Sequence, residues 1–388
     1  MFKAKTVAVK DKFSVEMGRR MGRSLTETLG DRPRAAWLFS SPGKGLQELL
    51  AGVAETVGTD VLIGCTTHGE ISSTGFSGGS AVLGGIVTDR IDFHIASVNG
   101  LGLDSEAAGR NLAQQLPDSV RYVQIFSDGL TGNGCAILRG MMSWMGEQIP
   151  ICGGAAADGD KFQRTWQFCG PELLSDSVVA IGFSGDFKVG TGVQSGWSPI
   201  GIARRVTRSS GHVLYELDGQ PALEVYKRFF GKHVENLPMV GIEYPLGLMD
   251  GSCLLDDPDY NMVLRASVSV SRENGSISFA GEIPEDSMVR LTCGDAKCTL
   301  EAAEKAVRLA MLDLGNCDPA IVFFFSCMAR RIVLGRRTAE EVEVVRQEAG
   351  AGVPLLGFYS YGEFCRTRRG GPSLLHNETA TVSILGFQ

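Results

Sequence analysis

Residues 36–70 read AWLFSSPGKGLQELLAGVAETVGTDVLIGCTTHGE, and two later stretches follow the same plan. Residues 122–160 read YVQIFSDGLTGNGCAILRGMMSWMGEQIPICGGAAADGD, and residues 320–363 read AIVFFFSCMARRIVLGRRTAEEVEVVRQEAGAGVPLLGFYSYGE. Each opens on an apolar run ending in Phe-Ser, passes through a polar loop into a helical pattern, and closes on a second apolar run ending G-x-x-x-x-G-acid. Strand, loop, helix and strand in that order make a crossover, which joins parallel neighbours with right-handed geometry. The repeat therefore sets the fold class as α/β, with strand-loop-helix-strand units forming a mixed sheet.

Aligned on their endings, the copies superpose Gly64, Gly154 and Gly357, then Gly69, Gly159 and Gly362, then the acids Glu70, Asp160 and Glu363. His68 matches Asp158 and Tyr361. Both marked loops of each unit fall at carboxyl ends of strands, the edge where open α/β sheets bind ligands.

Flanking segments extend the pattern. KTVAV is a short strand; SVEMGRRMGRSLTETLG carries Met17, Met21 and Leu25 at helical spacing behind a Ser14 N-cap, with Gly30 as the stop. SAVLGGIV and RIDFHIASV alternate as antiparallel strands. From about 165 to 295 the chain turns β-rich, interrupted by the helix QPALEVYKRFFG. A division into 1–217 and 218–388 is expected, without a flexible linker to mark it.

With 388 residues, 44% hydrophobic and 21% charged, the composition is that of folded globular domains. A formal net charge of −7 argues against nucleic acid or an anionic membrane as partner. The N-terminus MFKAKTVAVKDKFSVEMG has no apolar core for a secretory signal, so a cytoplasmic location is expected. The apolar runs SVVAIGF and AIVFFFS fall far short of the roughly 18 residues needed to span a bilayer. Ten cysteines in a reducing compartment should be mostly small buried thiols. Cys293 and Cys298, in CGDAKC, have wider spacing than a zinc knuckle and no second pair.

WSPIGIARRVTRSSGHVLYELDGQPALEVYKRFFG (197–231) resembles the FIST family of signal-transduction sensors. VLIGCTTHGEI, CGGAAADG, FFFSCMARR, PLLGFYSYGEF and LLHNETATVSIL resemble FIST segments in the right order, so the likeness covers about 35–387. It implies two FIST domains, N- and C-terminal, forming a small-ligand sensory module. It also resembles the NosP subset, which implies haem b held through a histidine, nitric oxide as the gaseous ligand, and a sensor histidine kinase as partner. No kinase, cyclase or methyl-accepting segment is read in the chain, so the signal is expected to pass to a separate protein; a homo-oligomer is compatible with this.

Haem needs an axial ligand and an apolar pocket. The candidates are His68, His94, His212, His233 and His376. His376 lies in the general FIST ending. His94 shares a strand face with Asp92, and His233 follows a helix stop, where the dipole favours it. His68 departs from the small residue expected of FIST proteins, and Gly64 and Gly69 beside it allow close approach of a flat macrocycle. It is the first choice as metal ligand, with His212, in a SSGH turn, second. Met239 is among the methionines that could serve opposite.

A second reading needs no metal. Asp128, Asp158, Arg330, Tyr361 and Glu363 all fall on strand-end loops and could pair with the ammonium and carboxylate of an amino-acid-like metabolite, Arg330 as bidentate clamp. A third reading is a cysteine-dependent hydrolase or redox enzyme built on Cys65 and His68, which would need an activated thiolate and a group orienting the base. GCTTHGE lacks the Lys-Ser/Thr of a P-loop, and GFSGG has no strand-to-helix elbow. The expectation is a non-catalytic sensor.

Overall fold

The computed structural model describes residues 1–58, 61–237, 239–249 and 262–388. Its chain repeats one unit three times. Unit 1 runs Phe2–Val9 (strand), Val15–Leu29 (helix), Ala35–Ser40 (strand), Leu46–Val57 (helix), Leu62–Thr66 (strand), a hairpin Glu70–Ser72 with Gly75–Ser77, and Ala81–Thr88 (strand). Unit 2 repeats this order from Ile91–Asn99 through Tyr122–Ser127 and Ile151–Ala155 to a hairpin at Gln167–Cys169 and Glu172–Leu174, closing on Ser177–Gly185. Unit 3 begins with Lys188–Gln194, resumes at the helix Ala296–Leu314, and continues through Asp318–Cys327 and Leu355–Ser360 to a hairpin at Glu363–Arg366 and Ser373–His376, closing on Ala380–Phe387.

Local chemistry places these elements. Ser14 accepts a hydrogen bond from Met17 N, Gly30 takes a φ of 81°, and Met17, Met21 and Leu25 are buried between them. Asp104, Asn133 and Asp295 cap later helices in the same way. Asp295 is the centre of CGDAKC, so that motif is a helix start, its carboxylate accepting from Cys298 N at 2.8 Å. The described cysteines are free thiols; Cys253 lies outside the described residues.

Within each unit the strands pair in the order first, last, second, third. The second and third are parallel, as the crossover reading requires. Each hairpin leaves its own sheet. The unit 1 hairpin pairs with Leu355–Ser360 of unit 3, the unit 3 hairpin with Ile151–Ala155 of unit 2, and the unit 2 hairpin with Leu62–Thr66 of unit 1. The result is three six-stranded mixed sheets locked in a closed ring of exchanges.

The core lies on the axis of this ring. Phe39, Phe126 and Phe325, the Phe of each Phe-Ser, pack on one another with ring centroids 5.2, 5.9 and 6.5 Å apart, and Phe358 fills in at 4.6 Å from Phe39. All are fully buried, each contributing roughly 1.5–3 kcal/mol. One layer away Trp37 Nε1 donates to Gln124 Oε1 at 3.0 Å, so the buried indole N–H is satisfied.

Strand register corrects several positions of the sequence alignment, His68 and Tyr361 now standing with Ala157 and not with Asp158. Leu38 pairs with Gly64, Ile125 with Gly153 and Phe324 with Gly357, so Gly153 and not Gly154 is the equivalent glycine. A Cβ at any of the three would collide with the carbonyl oxygen of that neighbour, which is why the position is glycine in every unit. Likewise Glu70 and Glu363 match Gln167, not Asp160, because residues 158–166 add a loop before the unit 2 hairpin. Glu70 accepts from Ser80, Glu363 from Thr379 and Gln167 from Ser177, the same contact three times.

Between Gln194 and Ala296, unit 3 carries an insertion with an eight-stranded antiparallel sheet of its own and the helix Ala222–Phe230. Trp197 and Gly294, its two ends, are paired in register. The turn at Asp218 joins the paired strands Val213–Leu217 and Gln220–Pro221 inside this sheet.

Candidate functional site

The three strand-end loops meet on the axis. His68 N donates to Tyr359 O, Tyr359 N to Gly69 O, Ala157 N to Thr66 O, and Tyr361 N to Ala155 O, at 2.8–3.1 Å. Their side chains close the same junction. His68 is 4% exposed; its Nε2 lies 2.8 Å from Asp160 Oδ1 and its Nδ1 3.1 Å from an Arg331 guanidinium nitrogen, which also bonds the His68 carbonyl. Arginine only donates, so Nδ1 accepts and the ring proton sits on Nε2, facing Asp160. Burial, helped by the Arg331 charge and opposed by Asp160, lowers the imidazole pKa and keeps the ring neutral. Both nitrogens are committed to the junction, and neither is free to ligate iron. Gly64 and Gly69 serve packing: a Cβ on Gly69, at φ 138°, would strike the Phe76 ring.

Of the metal-free set, Asp158 accepts from Tyr361 Oη at 2.6 Å and from the backbone of Phe162, Gln163 and Arg164. Burial pushes that carboxyl up, but these donors together hold it below its usual range. Arg330 is fully buried and spent: its donors go to Glu341 at 2.6–2.7 Å, to Thr299 O at 2.6 Å and to Ser195 O. It cannot act as the bidentate clamp. Glu363 accepts from Ser360 Oγ and Thr379 inside the sheet, and burial pushes it up to about 8. Cys65 is fully buried with its thiol pushed well up, and the ring nitrogens of His68 are bonded elsewhere, so the two do not form an activated pair.

Two members of that set, Asp128 and Tyr361, together with His212, open onto a cavity of about 530 Å³. It lies beside the axis, where the insertion covers the junction of units 2 and 3. The unit 2 loop Asp128–Gly134, the unit 3 segments Cys327–Ala329 and Asn377–Glu378, and the insertion's Ile242, Ala266–Val268 and Phe279–Gly281 form its walls. Asp128 is a loop cap, accepting from Leu130 N, Thr131 N and Asp176 N. His212 is exposed, on the insertion's turn.

The unexplained group is Glu378. It is fully buried, holds a left-handed φ of 62°, and neither carboxyl oxygen meets a hydrogen-bond partner among the described residues. Burial, with the charge of Glu363 adding and that of Arg330 opposing, pushes its pKa well up. Beside it Asn377 accepts from Ala266 N at 3.3 Å, while its Nδ2 has no acceptor. Sequence reasoning passed over both residues, although they sit in LLHNETATVSIL, a stretch quoted for its family likeness. Among the described residues no group of three or more His, Cys, Asp or Glu could hold a metal ion, and no helix is long and apolar enough to cross a membrane.

Fold and cavity define an α/β protein of three interlocked units with a pocket under an inserted cap. The FIST N domain matches residues 34–220 and the FIST C domain residues 222–366, so the chain belongs to the FIST family of sensor-type domains. An uncharacterized protein of Methanocaldococcus jannaschii is 23% identical over 395 residues, covering 91% of this chain and 74% of that protein. An uncharacterized protein of Mycobacterium bovis is 25% identical over 241 residues, 60% of each chain. Among solved structures, the cyanuric acid hydrolase from A. caulinodans aligns over the whole of both chains at a TM-score of 0.41 and 8% identity.

Proposed function

We propose that this chain is a non-catalytic sensor of a small polar metabolite, which it holds in the cavity between the three-unit core and the insertion. The observation that carries the reading is the pair Asn377 and Glu378, buried in the cavity wall with polar atoms that no protein group satisfies. An unpaired buried polar group costs about 1–3 kcal/mol, more when charged, and a ligand that pairs it recovers that cost. Because core and insertion share the walls, a ligand touching both favours one placement of the insertion over others, which is what a relay requires. The relay would run to a separate protein, for which the resemblance implies a histidine kinase.

Haem fits the residues poorly. Both ring nitrogens of His68 are hydrogen-bonded, and the described residues lining the cavity include no Lys or Arg to meet two propionates. No step is assigned to iron or nitric oxide.

The test is a thermal-shift screen of metabolites against the protein and a Val268→Trp variant, whose indole would fill the cavity from the partly exposed insertion side. A native-state ligand raises the midpoint by mass action. Shifts shared by both proteins would place the ligand elsewhere and end this reading. Visible absorption during haem titration runs alongside; a saturable Soret band lost in His212→Ala would restore haem.

A further inference from the structure

The cavity carries a charge signature, and its meaning rests on the reading that the cavity is the ligand site. Glu378 offers two oxygens without a donor, and Asp128 adds a second carboxylate to the wall. Against them the described lining residues supply no lysine or arginine. The guanidinium groups next in sequence to the lining residues Ala329 and Ala266 are engaged elsewhere. Arg330 is bound to Glu341, Ser195 and Thr299, and Arg265 donates to the carbonyls of Glu282, Leu264 and Leu375. A carboxylate here would meet no cation and would face the carboxyl groups of Glu378 and Asp128, with Asn377 Nδ2 as the unpaired side-chain amide, whereas a cation can take the place of the Glu378 proton.

We infer that the ligand is a small organic cation, an amine or guanidine, that seats its N–H donors on Glu378, places an oxygen acceptor, where it has one, on Asn377 Nδ2, and carries no carboxylate or phosphate. The remaining wall sets its body. Met328, Phe279, Ile242 and Leu375 are apolar, so an aliphatic or aromatic portion beside the amine completes the fit. This separates the ligand from free amino acids, whose carboxylate has no cationic partner here.

Three isosteric probes test the charge rule by thermal shift and calorimetry: phenethylamine, phenylalanine and 3-phenylpropanoate. The same is done with the aliphatic set 4-aminobutan-1-ol, 4-aminobutanoate and 4-hydroxybutanoate. The amines alone should bind, and Glu378→Gln should weaken them about 10-fold to 100-fold, the range expected for a hydrogen bond to a charged group. Free of ligand, Glu378→Gln should melt higher, by about 1–4 °C, since it removes a buried carboxyl that nothing pairs. A carboxylate probe binding the wild type tighter than its amine, with the effect lost in Val268→Trp, would overturn the charge rule and leave the cavity reading standing. Amine binding retained in Val268→Trp would sink both. A lower melting point in Glu378→Gln would mark Glu378 as structural and end the inference whatever the probes do.

Discussion

Glu363 and His376 stand opposite each other in one hairpin, both fully buried, and burial acts on them in opposite directions. It raises Glu363 to about 8 and lowers His376 to about 4. The folded state thus holds the Glu363 proton more tightly than the unfolded chain, so that stability is full below about 4.5 and declines as pH rises toward 8. For His376 the folded state resists protonation, so stability is full above about 6.5 and declines as pH falls toward 4. Denaturant midpoints measured from pH 4 to 9 should show a flatter alkaline side in Glu363→Gln and a flatter acid side in His376→Gln; the reverse pairing would show that other groups govern the curve. Single residues were also where the sequence misled most. His68 stood out as the one side chain the repeat did not explain, yet its partners Asp160, on a loop, and Arg331, on the helix Met328–Leu334, lie 92 and 263 residues away, beyond any local pattern. Glu378 looks ordinary in the sequence, because what marks it is the absence of a partner, which only the fold reveals.

At the scale of strands and helices the sequence was more legible. Three Phe-Ser strand ends, each followed by a helix and a second strand, announced parallel crossovers, and caps such as Ser14 and Gly30 fixed helix limits. The hairpin exchange was not legible, since a strand's own residues do not say which of three similar sheets it will join. Register resolves what composition blurred in GGAAADGD, where adjacent glycines are interchangeable by eye and only Gly153 faces a carbonyl oxygen. That contact makes a sharp prediction. Gly153→Ala, at a φ of 141°, should destabilise the fold by about 2–4 kcal/mol through collision with Ile125 O and backbone strain. Gly159→Ala, whose Cβ would meet nothing within 4 Å at a φ of 71°, should cost only the strain, about 1–2 kcal/mol. Equal losses in urea unfolding would mean that the close approach is not what demands glycine.

For the whole molecule, the question is whether the insertion belongs to the core or only sits on it. In units 1 and 2 the first strand reaches its helix through the short connections 10–14 and 100–104, and only unit 3 spends the stretch 195–295 at that point. The ends of that stretch, Trp197 and Gly294, already lie opposite each other, so a tight turn can replace 198–293 without moving either neighbour. Among the described residues its fastenings are the hydrogen bonds of Arg265 to Leu375 O, Ala266 N to Asn377, and Glu282 to Asn133 and Arg139, with apolar contacts of Ile242 on Cys327, Met328 and Ala329 and of Val333 on Met262 and Leu264. None of the three axial phenylalanines depends on it. The shortened chain should therefore keep cooperative thermal unfolding and the near-ultraviolet circular dichroism of its buried aromatics, while losing every ligand-dependent shift, since the insertion's side of the cavity wall has gone. Loss of cooperative unfolding would make the insertion an integral part of the core. A ligand shift that survived the excision would move the binding site off the capped junction, to one of the two that the insertion leaves uncovered.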